Sequence, residues 1–563
     1  MPAYSVDSRR EIPGGEGYKI YGTVAEIVDS LAAVFPIFLY FVAALVTLTT
    51  MTRFVSEERI NSGTLKALGY TDNDIIKKFT IYGFIAGSIG TLIGIILGHT
   101  LLPYIVYNAY EIGFSIPKIE LHFEWEITVI SMILSLISSV FPAYVVAKKE
   151  LQEKPARLLL PKAPKAGSKI FMERIKPLWN RMSFTHKVTA RNIFRYKQRM
   201  FMTIFGVAGS ATMLFAGFAV QHSVSEINKR QFEDIIKYDI IVALNDDITS
   251  EQENELNNLL NSDEVESYTS VYYEDVTKVA GKNNDKQEIK LIVSGNDEEF
   301  SDYIYLNNRE TKEKLEFKDD GAIISERLAR LLNVKVGDTI TVTDSKEKER
   351  QIKVTDICEM YAGHFIFMNS NAYENIYGVE YETNGKLILL NDGSIENTQI
   401  QSTKFMDLSS VKGIVQNTTL YNLIDTIVVS LNQIMKVLIA VAAMLAVVIL
   451  YNLTNINVSE RIIELSTIKV LGFHDKEVTM YIYRETIVLS GIGIVVGWLM
   501  GMWLHSYILN VVPPDEVMFD PTRWIGAYIV PFATVTVISF ILKHHVNNKL
   551  KKVDMIEALK SVD

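Results

Sequence analysis

Long apolar stretches alternate with polar segments along the whole chain. A membrane-spanning helix needs about 20 apolar residues to cross a hydrocarbon layer of about 30 Å, whereas an apolar run of about 10–14 residues is more typical of a buried core helix. The length of these stretches therefore predicts membrane spans. Seven are predicted: Leu31–Thr52, Phe79–Tyr107, Trp125–Ala147, Met200–Val220, Ile427–Tyr451, Glu485–Leu509 and Trp524–Leu542.

Between the fourth and fifth spans lies a polar segment, Gln221–Thr426, in which short β-rich runs predict an α+β domain. We expect a short helix at Ser325–Leu332 and a buried turn and strand at Tyr361–Met368. The predicted strands are Tyr238–Leu244, Ile289–Ser294, Gly337–Thr343 (after a turn) and Ile352–Ile357.

The charges sort these segments to two sides of a membrane. The chain has 563 residues and a net charge of -10, but Lys148–Arg199 holds 15 Lys and Arg against 3 Asp and Glu. Loops rich in Lys and Arg stay in the cytoplasm. Alternation then places Gln221–Thr426, with 21 basic and 39 acidic residues, outside.

An internal repeat is revealed by self-comparison. Val55–Tyr70 aligns without gaps on Val458–Phe473, an offset of 403 positions, and glycines of the following span coincide at the same offset. Each copy continues through two more spans to a similar basic stretch, Lys148–Leu159 or Lys549–Leu559. The sequence therefore predicts a duplication in which both copies run parallel.

The repeated segment Ser56–Tyr70 is predicted to be a charged cytoplasmic helix. Gly69 follows it at a position where left-handed backbone favours glycine, and Thr71–Asp74 predicts the cap of the next helix. Ile60, Leu65 and Leu68 form an apolar face suited to a partner's groove. The alternative is a solvated turn between two spans, although a simple linker has no need to repeat its sequence.

Small residues and basic residues mark two further features. Glycines spaced by three or four residues predict close helix packing in lipid, at Gly87, Gly90, Gly94 and Gly98 and at Gly493, Gly497 and Gly501. The basic amphipathic helix His186–Arg199 suits either anionic lipid headgroups or a simple cytoplasmic anchor.

No catalytic or metal site is predicted. The sequence has no phosphate-binding loop, no His-Glu-x-x-His and no Gly-x-Ser-x-Gly, so we expect a protein that is not an enzyme. Its single cysteine, Cys358, makes no internal disulfide. His364 is expected to be a packed residue, because no second ligand lies at metal-binding spacing.

The paired Thr-x-Lys-x-Leu-Gly segments and the glycine-bearing spans resemble the FtsX-like permease family, the MacB-type (type VII) membrane subunits of ABC transporters. The linker runs Glu153–Lys165 and Thr189–Lys197 resemble the long, duplicated Gram-positive members. Gly337–Ile340 and Tyr361–Met368 are similar to the family's extracytoplasmic core domain. The fold class implied is a polytopic α-helical membrane protein, about seven spans in two parallel repeats, with an α+β domain inserted before the second three-span unit.

The resemblance implies a permease that relays ATP hydrolysis on a separate cytoplasmic ATPase dimer to an extracytoplasmic change of shape, for export or release of a hydrophobic, peptide or lipoprotein substrate. ATP and Mg²⁺ would bind the ATPase partner, and no cofactor would bind this chain. The alternative functions are a regulator of cell-wall hydrolases and an antimicrobial-peptide resistance or sensing permease. The ATPase-coupling residues implied are Glu57, Glu58, Arg59, Thr64, Lys66, Leu68 and Gly69, and Glu460, Arg461, Thr467, Lys469, Leu471 and Gly472.

The resemblance also implies the plasma membrane of a Gram-positive bacterium, contacts with membrane lipids and no nucleic-acid partner. A complete first copy would begin with one more span and its own ectodomain, so an upstream polypeptide is expected to supply them. The expected domains are an extracytoplasmic tail (1–30), the first three-span repeat (31–150), the basic linker (151–199), the fourth span (200–220), the α+β domain (221–426) and the second three-span repeat with its tail (427–563).

Overall fold

The computed structural model describes residues 16–111, 118–160, 170, 173, 176–195, 197–281, 284–459, 470, 472 and 474–550. These residues form two compact units. We call the first the helical unit; it contains Leu31–Gln221, Gln433–Tyr507 and the chain from Arg523. We call the second the β-unit; it contains the described part of Met1–Ser30, together with His222–Asn432 and Ile508–Thr522.

Long apolar helices build the helical unit. Six helices of the described chain are long and apolar enough to cross a membrane. Where the sequence predicts a seventh span, Trp524–Leu542, the structure has a shorter apolar helix, Gly526–Leu542. The first long helix already begins at Glu16, so part of the predicted polar tail is helical. The helices up to the β-unit are α1 (Glu16–Glu57), α2 (Arg59–Ala67), α3 (Asp72–Glu111), α4 (Trp125–Leu151), α5 (Pro155–Leu158), α6 (Lys176–Arg181), α7 (Phe184–Arg195) and α8 (Lys197–Ser225).

Helix α8 packs at the centre of the helical unit. The most apolar window of this span is 83% buried inside the protein. Small residues allow that approach: a methyl group placed on Gly209 would lie 2.6 Å from Val42 of α1. Val207 joins a buried cluster with apolar side chains of the later helices, including Ile449 and Ile494.

The β-unit begins where α8 ends. A short helix, α9 (Ile227–Lys229), leads into a π-helix at Arg230–Ile235. The remaining helices are α10 (Ser250–Leu260), α11 (Asp297–Tyr303), α12 (Glu326–Leu332), α13 (Ser370–Tyr377) and α14 (Ile395–Met406), followed by the long helices α15 (Asn417–Ser459), α16 (Asp475–Val511) and α17 (Gly526–Leu550).

Nine strands of the described chain form one sheet, in the order β3-β7-β4-β6-β5-β2-β8-β1-β9. An additional pairing of β2 with β3 closes six of the strands into a ring. Apolar side chains such as Val276, Ile324 and Ile366 fill its core. The strands are β1 (Ile240–Leu244), β2 (Val265–Ala280), β3 (Asp285–Ser294), β4 (Ala322–Ser325), β5 (Thr339–Thr343), β6 (Glu349–Cys358), β7 (His364–Asn369), β8 (Gly385–Leu390) and β9 (Val411–Gln416).

The observed domain contains both strands and helices, as the sequence predicts. The longest strand, β2, has no counterpart in the sequence prediction, because Glu274, Asp275 and Lys278 interrupt its apolar pattern. Tertiary pairing explains why it still extends over 16 residues. Its first half pairs with β8 and its second half with β3, so β2 joins both parts of the sheet.

Candidate functional site

The predicted helix–glycine turn lies between α1 and α3. Helix α2 ends at Ala67, and Gly69 has φ +96°, the left-handed backbone that glycine adopts at no steric cost. The Gly69 amide donates to the Lys66 carbonyl (3.2 Å), and the Tyr70 amide donates to the Leu65 carbonyl (3.1 Å). This pair of bonds is a Schellman motif, which satisfies the last carbonyls of the helix.

The start of α3 is capped within the same turn. The Asp74 amide donates to Thr71 Oγ1 (3.4 Å), and the Thr71 hydroxyl in turn donates to the Asp74 carboxylate (2.6 Å). The same carboxylate pairs with Lys77 (3.1 Å), one turn further along α3. The turn is thus fixed on both sides by local hydrogen bonds, so that α2 is held close to the end of α3.

One face of α2, the mounted face (Arg59, Ser62, Gly63 and Lys66), packs on the segment after α4. Arg59 is buried and forms ion pairs with Glu150 and with Glu153 (2.7 Å), and it also donates to the Arg157 carbonyl (2.9 Å). Burial tends to lower the pKa of Arg59, but the two carboxylates outweigh it and the pKa is raised.

Two smaller contacts complete the mounted face. Lys66 Nζ donates to the Leu151 carbonyl (2.6 Å) and pairs with Asp72 (2.8 Å). A methyl group on Gly63 would lie 2.8 Å from Cβ of Leu158, so only glycine fits against α5. Arg59 and Lys66, both expected to contact an ATPase, therefore have partners within this chain.

The opposite face of α2, the open face (Ile60, Thr64, Leu68 and the adjacent Tyr70), is exposed. Leu68 has 72% of its surface accessible, a high value for a leucine at a helix end. The exposed Glu57 pairs with the half-buried Arg53 (2.8 Å). A hydrogen bond from Lys78 (2.7 Å) lowers the pKa of Glu58.

The second copy of this motif is described only in part. Gly472 has φ +95°, nearly the same backbone angle as Gly69. The other predicted coupling residues of the second copy lie outside the described residues: Glu460, Arg461, Thr467, Lys469 and Leu471.

The repeated glycines fall into two rows with different surroundings. We call Gly90, Gly94 and Gly98 of α3 the first row, and Gly493, Gly497 and Gly501 of α16 the second row. Methyl groups on the second row would lie 2.8, 2.6 and 2.7 Å from Val207, Ala211 and Phe215 of α8. No described atom lies within 4 Å of such a group on the first row.

The glycines predicted to pack closely thus have different surroundings, and for the first row close helix packing stays a prediction. The second row packs on α8, and Gly87 packs on Ser139 of α4. Within the described chain, the first row packs on nothing, because α4 covers only the neighbouring face of α3.

A charged cluster in the β-unit escaped the sequence prediction. Arg230 of the π-helix pairs with the buried Asp520 (3.1 Å) and lies 3.6 Å from Glu359. Glu359 also accepts from Lys312 (2.7 Å) and from the Tyr361 hydroxyl (2.5 Å). Only a pairing of distant chain segments creates this cluster, so sequence spacing gives no signal for it.

The charged groups of this cluster stabilise one another, as expected for an ion-pair network with a structural role. Burial alone raises the pKa of Glu359, but the hydrogen bonds from Lys312, Tyr361 and Asn307 reverse this and leave the pKa lowered. Asp520 belongs to the segment between α16 and α17, which is joined to the sheet by the Met518 amide and the Tyr361 carbonyl (2.7 Å). The cluster thus connects the π-helix with the segment between α16 and α17.

No group of three or more metal-ligating side chains occurs among the described residues. His364 is buried on β7, and Cys358 is buried at the end of β6, where burial raises its thiol pKa. These two residues therefore lie in the core of the β-unit rather than at an accessible site.

Comparison with known proteins adds sequence likenesses. The sequence model of the FtsX-like permease C-terminal region matches residues 33–151 and 436–543, and that of the MacB-like periplasmic core domain matches residues 200–399. An uncharacterized ABC transporter permease of Methanocaldococcus jannaschii is 29% identical over 143 residues, which are 24% of this chain. The match spans 35% of that relative's length.

Two solved structures show weaker likenesses. The extracellular domain of the noncanonic ABC-type transporter YknZ from Gram-positive bacteria is 14% identical, with TM-score 0.18, over 29% of this chain and 88% of that one. The periplasmic region of MacB from Actinobacillus actinomycetemcomitans is 13% identical, with TM-score 0.19, over 34% and 95% of the two chains. At TM-scores this low, neither likeness supports a conclusion about function.

Proposed function

Because the chain belongs to the FtsX-like permease family of ABC transporters, we propose that it couples ATP hydrolysis on a separate ATPase subunit to a change of shape in its β-unit. The ATPase dimer, which binds ATP and Mg²⁺, docks on the cytoplasmic side. The chain itself acts as a multi-pass plasma-membrane subunit. It supports export or release of a hydrophobic, peptide or lipoprotein substrate.

The division of α2 into two faces is the observation that carries this proposal. A helix that transmits movement from a partner must be fixed to its own chain and must also offer an exposed contact surface. The mounted face supplies the fixation through Arg59 and Lys66. The open face supplies the contact surface, with Ile60, Leu68 and Tyr70 exposed.

The charged cluster supports a path through the β-unit. Arg230 follows directly on α9, just beyond the end of α8, and its partner Asp520 lies between α16 and α17. A displacement of either segment therefore acts on the same buried ion pair, and Glu359 extends the connection to the end of β6. We assign this cluster the role of passing movement into the sheet.

The proposed coupling includes a duplication. One family model matches residues 33–151 and 436–543, and Gly69 and Gly472 share the same left-handed backbone, which supports two equivalent coupling turns. Each turn contacts one ATPase protomer.

The test is ATP hydrolysis by the complex purified from native membranes in mild detergent, with the substitution Leu68→Asp. Burying a leucine contributes about 1.5–3 kcal/mol, and about 1.4 kcal/mol corresponds to a tenfold change in affinity. We therefore expect Leu68→Asp to lower the recovery of the ATPase subunit, and with it the hydrolysis rate, by about tenfold or more.

The matched control is Val279→Asp, which places the same acid on an exposed apolar position of the β-unit. It should leave both membrane insertion and ATPase recovery unchanged. Full recovery with Leu68→Asp, or hydrolysis by the chain without a partner, would contradict the proposal.

A further inference from the structure

A cleft lies between three long helices of the helical unit. Its open volume is about 220 Å³, and its lining includes Leu45 and Thr49 of α1, Gly206 of α8, and Ile449 and Asn452 of α15. Pockets that enclose a whole small molecule usually measure about 300–1,000 Å³. This cleft therefore suits one part of a longer molecule, the rest of which lies outside the protein.

The two repeats meet at this cleft. Thr49 and Asn452 are 403 positions apart, which is the offset of the internal repeat, so equivalent positions of α1 and α15 line it together. The Asn452 amide donates one N–H to Thr50 Oγ1 (2.6 Å). Its second N–H and its carbonyl oxygen form no hydrogen bond with a described residue. The amide can therefore both donate to and accept from a ligand in the cleft.

The polar and apolar ends of the cleft lie at different depths. Thr49, Met202 and Asn452 each line the cleft within three residues of the predicted cytoplasmic end of their span. Leu45 and Ile449 lie about one helical turn, or about 5 Å, deeper in the predicted membrane. A phospholipid of the cytoplasmic leaflet has the same order, because its polar groups lie at the interface and its acyl chains lie in the hydrocarbon core.

We propose that the cleft binds a phospholipid of the cytoplasmic leaflet, with an acyl chain against Leu45 and Ile449 and an ester group hydrogen-bonded to the Asn452 amide. Lys197, the exposed first residue of α8, supplies positive charge on the side of the lipid phosphate. A lipid in this position bridges the two repeats. The inference goes beyond the proposed function and does not depend on the binding of an ATPase.

The experiment uses the full chain in phosphatidylcholine nanodiscs that also contain a probe, phosphatidylglycerol with a photoreactive diazirine near the ester end of one acyl chain. Illumination followed by peptide mass spectrometry is expected to place an adduct on Val46 and Ile449, which both line the cleft. Ile449 is only 2% exposed, so an adduct there requires an acyl chain inside the cleft rather than on the outer surface of the helices.

Two tryptophan variants test the apolar end. Leu45→Trp fills the cleft and should reduce the adduct at Val46 and Ile449 at least tenfold. The matched control is Val448→Trp, at the counterpart of Leu45 in the second repeat, which is 54% exposed and lies outside the lining. It should leave the adduct unchanged. No adduct in the cleft, or an equal response to the two substitutions, overturns the proposal.

A second pair of variants tests the polar end. Asn452→Leu removes the amide at similar volume and should lower the adduct about fivefold, as expected for the loss of one hydrogen bond. Thr50→Val removes only the bond within the chain and should leave the adduct unchanged.

Equal losses in Asn452→Leu and Thr50→Val would show that the amide only joins α1 to α15, and would overturn the assigned ester contact. A free fatty acid with the same diazirine should label the cleft less than the phospholipid does. Equal labelling by the two probes, insensitive to Asn452→Leu, would overturn the phospholipid as the occupant. Recovery of the ATPase with Leu68→Asp tests the proposed function separately, so either conclusion can fail while the other stands.

Discussion

The two three-span units of the chain share sequence but not surroundings. Here the first unit means α1, α3 and α4, and the second unit means α15, α16 and α17. In the first unit, the most apolar window of α3 is 6% buried, while in the second unit that of α16 is 39% buried. The segments after these helices differ in the same way. Residues Glu120–Glu124 before α4 are exposed, whereas Val517–Asp520 before α17 are buried in the β-unit.

The difference arises from what accompanies each unit along the chain. Helix α8 covers the second glycine row, and the segment that follows α16 is part of the β-unit. The described residues hold no equivalent helix or domain for the first unit. A repeated sequence therefore fixes the conformation of a turn, such as that at Gly69 and Gly472, but the burial of a repeated residue depends on its partners.

The largest effect should separate the two glycine rows. In the isolated chain, Gly497→Leu forces a leucine into α8 and should lower the free energy of unfolding by about 3 kcal/mol, since overpacking usually costs about 1–3 kcal/mol. Gly94→Leu should change it by less than about 0.5 kcal/mol. Unfolding in a denaturing-detergent titration measures both changes. Equal losses of stability in the two variants would contradict the difference between the two rows.

The next effect contrasts the two faces of α2 in the first unit. Arg59→Met leaves Glu150 and Glu153 without their cation and should destabilise α2 by about 2 kcal/mol, less than for a fully buried pair because Glu153 is partly exposed. Glu57→Gln removes an exposed pair and should cost less than about 0.5 kcal/mol. Amide hydrogen exchange across Arg59–Ala67 distinguishes the two, and similar protection in both variants would argue against the mounted face.

A pH-dependent effect should appear in the charged cluster of Arg230, Glu359 and Asp520. The pKa of Glu359 is lowered in the folded protein, so its contribution to stability is present above its unfolded pKa of about 4.3 and is lost as pH falls through the lower folded value. Glu359→Gln should weaken the β-unit near neutral pH by about 1–2 kcal/mol.

The measurement is amide hydrogen exchange of Glu349–Cys358 in the full chain as pH is lowered. Protection in the unsubstituted chain should fall toward that of the variant below about pH 4, where the carboxylate is protonated. If the difference in protection between the unsubstituted chain and Glu359→Gln stayed constant at all pH values, Glu359 would act through packing alone.

The smallest effect should be the same in both units. Gly69→Ala and Gly472→Ala place a side chain at φ +96° and +95°, which costs about 1 kcal/mol in each case. Neither glycine has a described atom within 4 Å of the added methyl group, so the strain is in the backbone alone. Unequal losses in thermal unfolding would show that the two turns are not equivalent.

Much of the local structure was accessible from the sequence. Hydrophobic length identified six long apolar helices and located the shorter one near Gly526. Turn chemistry predicted the glycine conformation at Gly69, and the short helix after Ser325 was also expected. These features depend on residues close together in the chain, where steric and hydrogen-bonding rules act directly.

The candidate site was predictable only in outline. The sequence grouped Arg59 and Lys66 with Leu68 as coupling residues, but the structure turns the first two toward Glu150 and Leu151 and leaves Leu68 exposed. Periodicity alone does not say which face of a short amphipathic helix meets its own chain. The roles of all three toward an ATPase stay predictions.

The sequence by itself determined the apolar helices, the glycine turn at Gly69 and the resemblance to FtsX-like permeases, and its charges predict the sides of the membrane. Each is set by local composition or by short-range spacing. Tertiary structure alone decided that β2 joins both parts of the sheet, that Arg230, Glu359 and Asp520 meet, and that, among the described residues, one glycine row is covered and the other open. Those features arise between residues up to hundreds of positions apart, where burial and pairing depend on which surfaces the folded chain brings together.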